Sequence, residues 1–278
     1  MPDPTSELPA VILEALSPTS QRRILNRRGS AVWDVETGTG RYAVKLGYPI
    51  AQTSEWPAQP WTALAPGREG AVFQRLDVDG IAYGEWELGT WNIQPWHEGP
   101  DLYALWEPCR AKDSTIEPYA SVALSCAQSL ARLHAQGWAH GDVQPAHFVI
   151  GPDDTHLIDL ALAHGQPLPP GYDFPYRGCL VHYEAPEISR SILERGVAEP
   201  TPAADVYALG ASLFISATGW RAVEYPDDAS RTEQRCAIVN GAHRPVNMAS
   251  RLGALIEHML SYDADGRPRI DEVVLALS

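Results

Sequence analysis

Asp142 and Asp159 are the residues best suited to do chemistry in this chain. The first lies in His140-Gly141-Asp142-Val143-Gln144-Pro145-Ala146-His147, on a turn after a helical stretch, and the second closes the apolar run Leu157-Ile158-Asp159, 17 residues on. A carboxylate presented on a turn can orient an attacking hydroxyl, and a second can hold a metal ion against nucleotide phosphates; phosphoryl transfer needs both. The phosphates also need a cation. Of 21 Lys and Arg residues, only Lys45 and Lys112 are lysines. Where Arg serves almost everywhere, a retained Lys points to a need for its compact ammonium, which the guanidinium fork does not mimic.

The elements that carry these groups can be read from periodicity. Residues 31–35 and 41–46 read as strands around the turn Thr37-Gly38-Thr39-Gly40. In the second strand Tyr42, Val44 and Leu46 face one way, and Ala43 and Lys45 the other. Residues 67–76 read as a helix with Glu69, Val72, Phe73 and Leu76 on one face, and 81–87 and 90–94 as further strands. The stretch from Pro95 to Pro100 breaks the pattern, and helices are expected beyond it over 119–136, 205–218, 251–261 and 270–277. The expected fold is α+β. It has a Pro-containing lead-in over 1–20 with one short helical piece, a small β-rich lobe with one helix over 21–96, and a larger helical lobe over 97–278.

Composition narrows the function class. An apolar content of 45% with 20% charged residues is ordinary for a globular chain, and 278 residues suffice for one large domain or two lobes around a cleft. No apolar run reaches the roughly 18 residues that span a bilayer. The start, Met1-Pro-Asp-Pro-Thr-Ser-Glu, lacks the basic and apolar regions of a secretion signal, so a cytoplasmic location is expected. A net charge of −14 argues against nucleic acid or an anionic membrane as partner. Cys109, Cys126, Cys179 and Cys236 are scattered, which indicates neither a zinc site nor a disulfide framework.

In order and spacing, these motifs resemble those of protein kinases across roughly residues 24–277. Tyr42-Ala43-Val44-Lys45 is similar to the strand whose Lys holds the α- and β-phosphates, and Glu69 to the helix Glu that pairs with it, with Glu55 as the alternative. The resemblance makes Asp142 the catalytic Asp and Asp159 the magnesium-binding Asp of D-F-G, with Leu160-Ala161 in place of Phe-Gly. It places His140 beneath the loop as a structural residue and Gly29 in a degenerate glycine-rich loop. It puts Gln94 near the back of the nucleotide pocket, with Pro95, Trp96 and His97 as the adenine-facing hinge. Ala185-Pro186-Glu187 is similar to A-P-E, whose Glu pairs with a late Arg, here Arg267, and Asp205 to the residue that caps the catalytic loop. The implied fold is a bilobal, protein-kinase-like one in which Lys45, Asp142 and Asp159 converge on a single pocket, and the implied cofactors are ATP with Mg²⁺ or Mn²⁺.

Departures from the family pattern carry their own expectations. Only Gly29 remains of the glycine-rich loop, so backbone cradling of phosphate is poorer, with Arg27 or Arg28 available to compensate. Gly141 stands where the family has the Arg that reads activation-loop phosphorylation, and residues 159–187 contain no Ser or Thr. Activity is therefore expected not to need such a phosphate. Gln144 replaces the loop Lys, and His147 replaces the metal-binding Asn. Imidazole suits manganese better than magnesium, so a weakened second metal site is expected, the alternative being a His147 that packs or hydrogen-bonds Asp159.

The leading expectation is transfer of the γ-phosphoryl group of ATP to a Ser/Thr hydroxyl of a peptide or protein. Aminoglycoside and choline kinases share the H-G-D loop but generally lack A-P-E. The loop is also similar to that of the kinase domains of lanthipeptide synthetases, which phosphorylate a precursor peptide before elimination; such a role would need a partner lyase. A pseudokinase binding nucleotide or a partner protein, and a small-molecule kinase, are the alternatives.

Overall fold

The computed structural model describes residues 5–52, 58–111, 114–248 and 250–278; Glu55 and Lys112 lie outside the described residues. The chain separates into two compact units, Met1–Trp96 with Pro167–Phe174, and His97–Gln166 with Pro175–Ser278. Among the described residues no helix is long and apolar enough to cross a membrane.

Unit 1 contains helix α1 (Ala10–Leu16), strands β1 (Ser20–Arg27), β2 (Ser30–Glu36) and β3 (Arg41–Gly47), helix α2 (Ala65–Arg75), and strands β4 (Ala82–Trp86) and β5 (Gly89–Pro95). The strands form one antiparallel sheet in the order β1-β2-β3-β5-β4. Side-chain alternation gives the sheet two unlike faces. Val44, Leu46, Trp91 and Ile93 join Val35, Leu8 and Ile12 in an apolar core. Lys45 lies opposite Asn92 in the register, on the other face. The lead-in over 1–20 holds the one short helix expected, but Leu8 and Ile12 insert it into this core. Those residues belong to unit 1 and do not stand apart.

Helix α2 departs from the expected amphipathic stripe, because every residue from Pro66 to Phe73 is buried. Two features cause this. A Cβ at Gly70 would collide with Tyr83, and one at Gly67 would come within 2.7 Å of Tyr172 and 2.9 Å of Thr90, so the two glycines let the helix lie directly on its neighbours. The segment Pro167–Phe174 then covers it: Arg68 Nε donates to Asp173 Oδ1 at 3.3 Å, the Arg68 guanidinium lies 5.2 Å from the Phe174 ring centroid, and Tyr172 meets Tyr83 edge-on at 5.5 Å. The sequence reading assigned this segment to the helical lobe, whereas it packs with unit 1.

Unit 2 contains α3 (Leu102–Leu105), α4 (Ala120–Ala135), the hairpin β6 (Phe148–Ile150) and β7 (Thr155–Leu157), then α5 (Pro186–Arg195), α6 (Pro202–Thr218), α7 (Arg231–Asn240), α8 (Arg251–Met259) and α9 (Ile270–Leu277). Helix α6 is buried on nearly all sides. It starts three residues before the expected Asp205, because the Thr201 side chain accepts the Ala204 N–H and Pro202 opens the first turn; Gly219, in the left-handed region, ends it.

Four histidines of this unit, His97, His140, His182 and His243, are pushed down to about 4, chiefly by burial. In the unfolded chain they take up protons from about pH 6.5 downward, and the folded state does so only near 4, so stability is lost across that window as the pH falls. Asp142 and His147, whose proton affinities are raised in the fold, act with the opposite sign, His147 only near the top of the window, but the four histidines outweigh them. The urea midpoint is expected to decline over this range, and His182→Gln to flatten the decline. A flat profile in the wild type would contradict this.

Candidate functional site

The His140–Asp142 turn of unit 2 is held from three sides. The first is backbone pairing: Ala139 and His164 exchange hydrogen bonds at 2.8 Å, tying the turn to the stretch after Asp159. The second is Asp205, in the first turn of α6 and buried. Its Oδ2 accepts the His140 N–H at 2.6 Å, its Oδ1 accepts the Gly141 N–H at 2.9 Å, and His134 Nε2 lies 2.9 Å from Oδ2. Asp205 thus caps the loop, as the resemblance implied.

The third is His140 itself, fully buried. Its Nδ1 accepts the Asp142 N–H at 3.1 Å. The neutral ring must then carry its proton on Nε2, which donates to the Ile158 carbonyl at 3.0 Å. One imidazole therefore fixes the backbone at Asp142 and at the residue before Asp159. Gly141 has φ +76, and a Cβ there would sit 2.7 Å from the Leu162 carbonyl oxygen, which explains the glycine between His140 and Asp142.

The two carboxylates occupy unlike surroundings. Burial raises the proton affinity of Asp142 well above the usual carboxylate range, although Gln144 Nε2 donates to its Oδ1 at 3.1 Å. Asp159 has left-handed backbone geometry (φ 66, ψ 58), uncommon for a residue with a side chain, and its side chain is 40% exposed.

His147 stands between them. Its Nε2 is 3.3 Å from Asp159 Oδ2, and its Nδ1 is 2.8 Å from the Asp142 carbonyl oxygen and 3.9 Å from Asp142 Oδ2. Burial disfavours its charged form, but the Asp159 and Asp142 carboxylates outweigh burial and raise its pKa. Both ring nitrogens face protein oxygens, and Nε2 lies beside the Asp159 carboxylate, the group expected to hold magnesium. The alternative of a His147 that bonds Asp159 fits this geometry. Among the described residues no group of three or more His, Cys, Asp or Glu side chains could hold a metal ion. The exposed Asp159 carboxylate fits Mg²⁺ in a different way, since that ion commonly takes one or two carboxylates and completes its shell with phosphate and water.

The following segment is fastened beside this turn. Tyr176 Oη donates to the Gly141 carbonyl at 2.7 Å. Glu184, whose side chain is 0% exposed, accepts two bonds from Arg235 at 2.7 and 2.8 Å, one from Ser189 Oγ at 2.9 Å and one from the Cys179 N–H at 3.1 Å. The sequence reading missed this pair. It did identify Glu187 and Arg267, which meet in a bidentate pair at 2.7 and 2.8 Å.

In unit 1, Lys45 Nζ donates to Glu69 Oε1 at 2.8 Å, and Glu69 is 0% exposed. Gly29 turns the chain between β1 and β2 at φ +77, where a Cβ would collide with Thr62 and the Tyr48 carbonyl; turn geometry and packing thus account for that glycine without a phosphate. The buried Gln94 amide points at Asn92 Oδ1 (3.2 Å) and Glu69 Oε2 (3.5 Å). Pro95 ends β5, and the Arg41 guanidinium covers the Trp96 ring at 4.3 Å. His97 is the first residue of unit 2 and stacks on His156 at 3.8 Å. Arg27 and Arg28 are exposed.

Asp205→Asn is expected to lower stability by about 2–3 kcal/mol, because an amide must aim a donor at one of the N–H groups the carboxylate now accepts. Amide exchange at His140 and Gly141 should accelerate with it; unchanged exchange would contradict the capping role.

Compared with known proteins, no family model matches this chain and no curated protein matches it.

Proposed function

We propose that this chain is an ATP-dependent phosphotransferase acting on a Ser or Thr hydroxyl of a peptide or protein. The observation that carries the reading is the double anchorage by His140. It places a half-buried carboxylate on a turn and fixes the approach to a more exposed one, so the two side chains are suited to different tasks. Asp142, with its raised proton affinity, would orient the attacking hydroxyl and take up its proton. Asp159 would hold Mg²⁺, which when bound offsets negative charge on the phosphates. Lys45, positioned by Glu69, would supply the ammonium for the phosphates of ATP. The His147 cation lies beside both carboxylates and so lowers the cost of keeping two negative groups close together.

That same cation favours a second reading, a nucleotide- or partner-binding module without transfer, because His147 already partners Asp159. One experiment separates the two. Labelled ATP and Mg²⁺ are incubated with peptide mixtures or with small alcohols, using wild type, Asp142→Asn and Asp159→Asn. Label on Ser/Thr of peptides, lost in both variants, supports the transferase. ATP binding without transfer supports the nucleotide-binding module, label on small alcohols alone would point to a small-molecule kinase, and no ATP binding at all would overturn the transferase and the nucleotide-binding module together.

A further inference from the structure

Strand β5 presents Thr90, Asn92 and Gln94 on one face, at alternate positions, and all three are buried. Each reaches helix α2 or the turn that leads into it. Thr90 Oγ1 accepts the Gly67 N–H at 2.8 Å and donates to the Ala63 carbonyl at 2.7 Å. Asn92 Nδ2 donates to the Pro66 carbonyl at 2.9 Å and to Glu69 Oε2 at 2.9 Å. Gln94 Nε2 reaches Glu69 Oε2 at 3.5 Å and donates to Asn92 Oδ1 at 3.2 Å. The apolar residues between them, Trp91 and Ile93, serve the opposite face of the sheet.

A polar rail of this kind does something an oily contact does not. Apolar burial is non-directional, and packed helices can slide across it. Buried hydrogen bonds have narrow geometry, and each one broken without water leaves a stranded polar group. A shift of α2 by even part of a turn would strand Thr90 and Asn92 and free the Glu69 carboxylate inside the fold. The close approach at Gly67 and Gly70 brings the helix backbone near enough for these short side chains to reach it.

We infer that Thr90 and Asn92, assisted by Gln94, are positioning residues that lock α2 onto the sheet, so that the Lys45–Glu69 pair is permanently assembled and needs no partner or modification to form. This deepens the transferase reading by making its lysine ungated. The inference is tested without nucleotide or substrate, so it fails or survives apart from that reading.

The first test is hydrogen exchange of the wild-type chain. Amides of Gly67 to Val72 are expected to exchange only through the opening that also exposes Val44 and Ile93; faster exchange of the helix by a separate local opening would overturn the inference. The second is amine acylation with acetyl sulfosuccinimide, read by peptide mass spectrometry. Lys45 and Lys112 are the only lysines, so Lys112 serves as the internal reference for reagent dose, and a urea-unfolding curve of each variant gives the share of Lys45 labelling that global unfolding contributes. Asn92→Leu and the near-isosteric Thr90→Val are each expected to raise the Lys45:Lys112 ratio about tenfold, and Thr90→Ser to restore it. A ratio unchanged in both variants would overturn the positioning role; should neither variant fold, the wild-type exchange result decides alone.

Discussion

Arg235→Met is expected to lower the unfolding free energy by about 3–5 kcal/mol, the usual cost of stranding one member of a buried ion pair. Glu184 has no access to water and directs both oxygens at Arg235, so the guanidinium is the main compensation for its charge. Ser189 and the Cys179 N–H provide two further hydrogen bonds but no positive charge. Urea unfolding reads the loss directly. The double variant Arg235→Met, Glu184→Leu is expected to recover most of it, because replacing a buried pair by apolar groups of similar volume is often neutral. A single variant within about 1 kcal/mol of wild type would show that the pair behaves like an exposed one.

Asp142→Asn is expected to lower phosphoryl transfer by about 10²–10⁴-fold, the range supplied by a positioned general base. The amide is isosteric, its Oδ1 still accepts from Gln144, and the backbone contacts with His140 and His147 do not involve the side chain. Stability and nucleotide affinity should therefore hold while the turnover rate falls. A loss of nucleotide binding equal to the loss of rate would assign Asp142 to ligand binding and remove the hydroxyl-orienting role.

Features governed by local periodicity or by a fixed spacing could be read before the fold was seen. Alternation over residues 41–46 put Lys45 on the face opposite Val44 and Leu46. Its partner Glu69, the capping Asp205 and the Glu187–Arg267 pair came instead from the resemblance of their motifs to those of protein kinases. Three helices were missed, α3, α5 and α7, and the ends of the two longer ones are written in the chain. Pro186 opens α5 and Gly196 closes it in the left-handed region, and Ser230 with Glu233 forms a capping box at the start of α7. Other features had no local signal. Arg235 lies 51 residues from Glu184, and its pairing depends on how α5 and α7 pack. His147 was read by the residue it replaces in a motif, and its closeness to both carboxylates had no local signal. Alternation over 90–94 signalled a strand, but that its polar face would be the buried, bonded one follows only from the two glycines of α2.

The cover of α2 by Pro167–Phe174 has a consequence for biosynthesis. The first unit is discontinuous: its final piece emerges from the ribosome only after residues 97–166 have been translated. Folding from the N-terminus forward can assemble the sheet early, but the buried guanidinium of Arg68 cannot meet Asp173, nor Gly67 its Tyr172 neighbour, until much later. A nascent or truncated chain ending near Trp96 would expose one side of α2 to solvent and to chaperones. Proteolytic nicking within 167–174 should likewise loosen a helix nearly a hundred residues upstream of the cut.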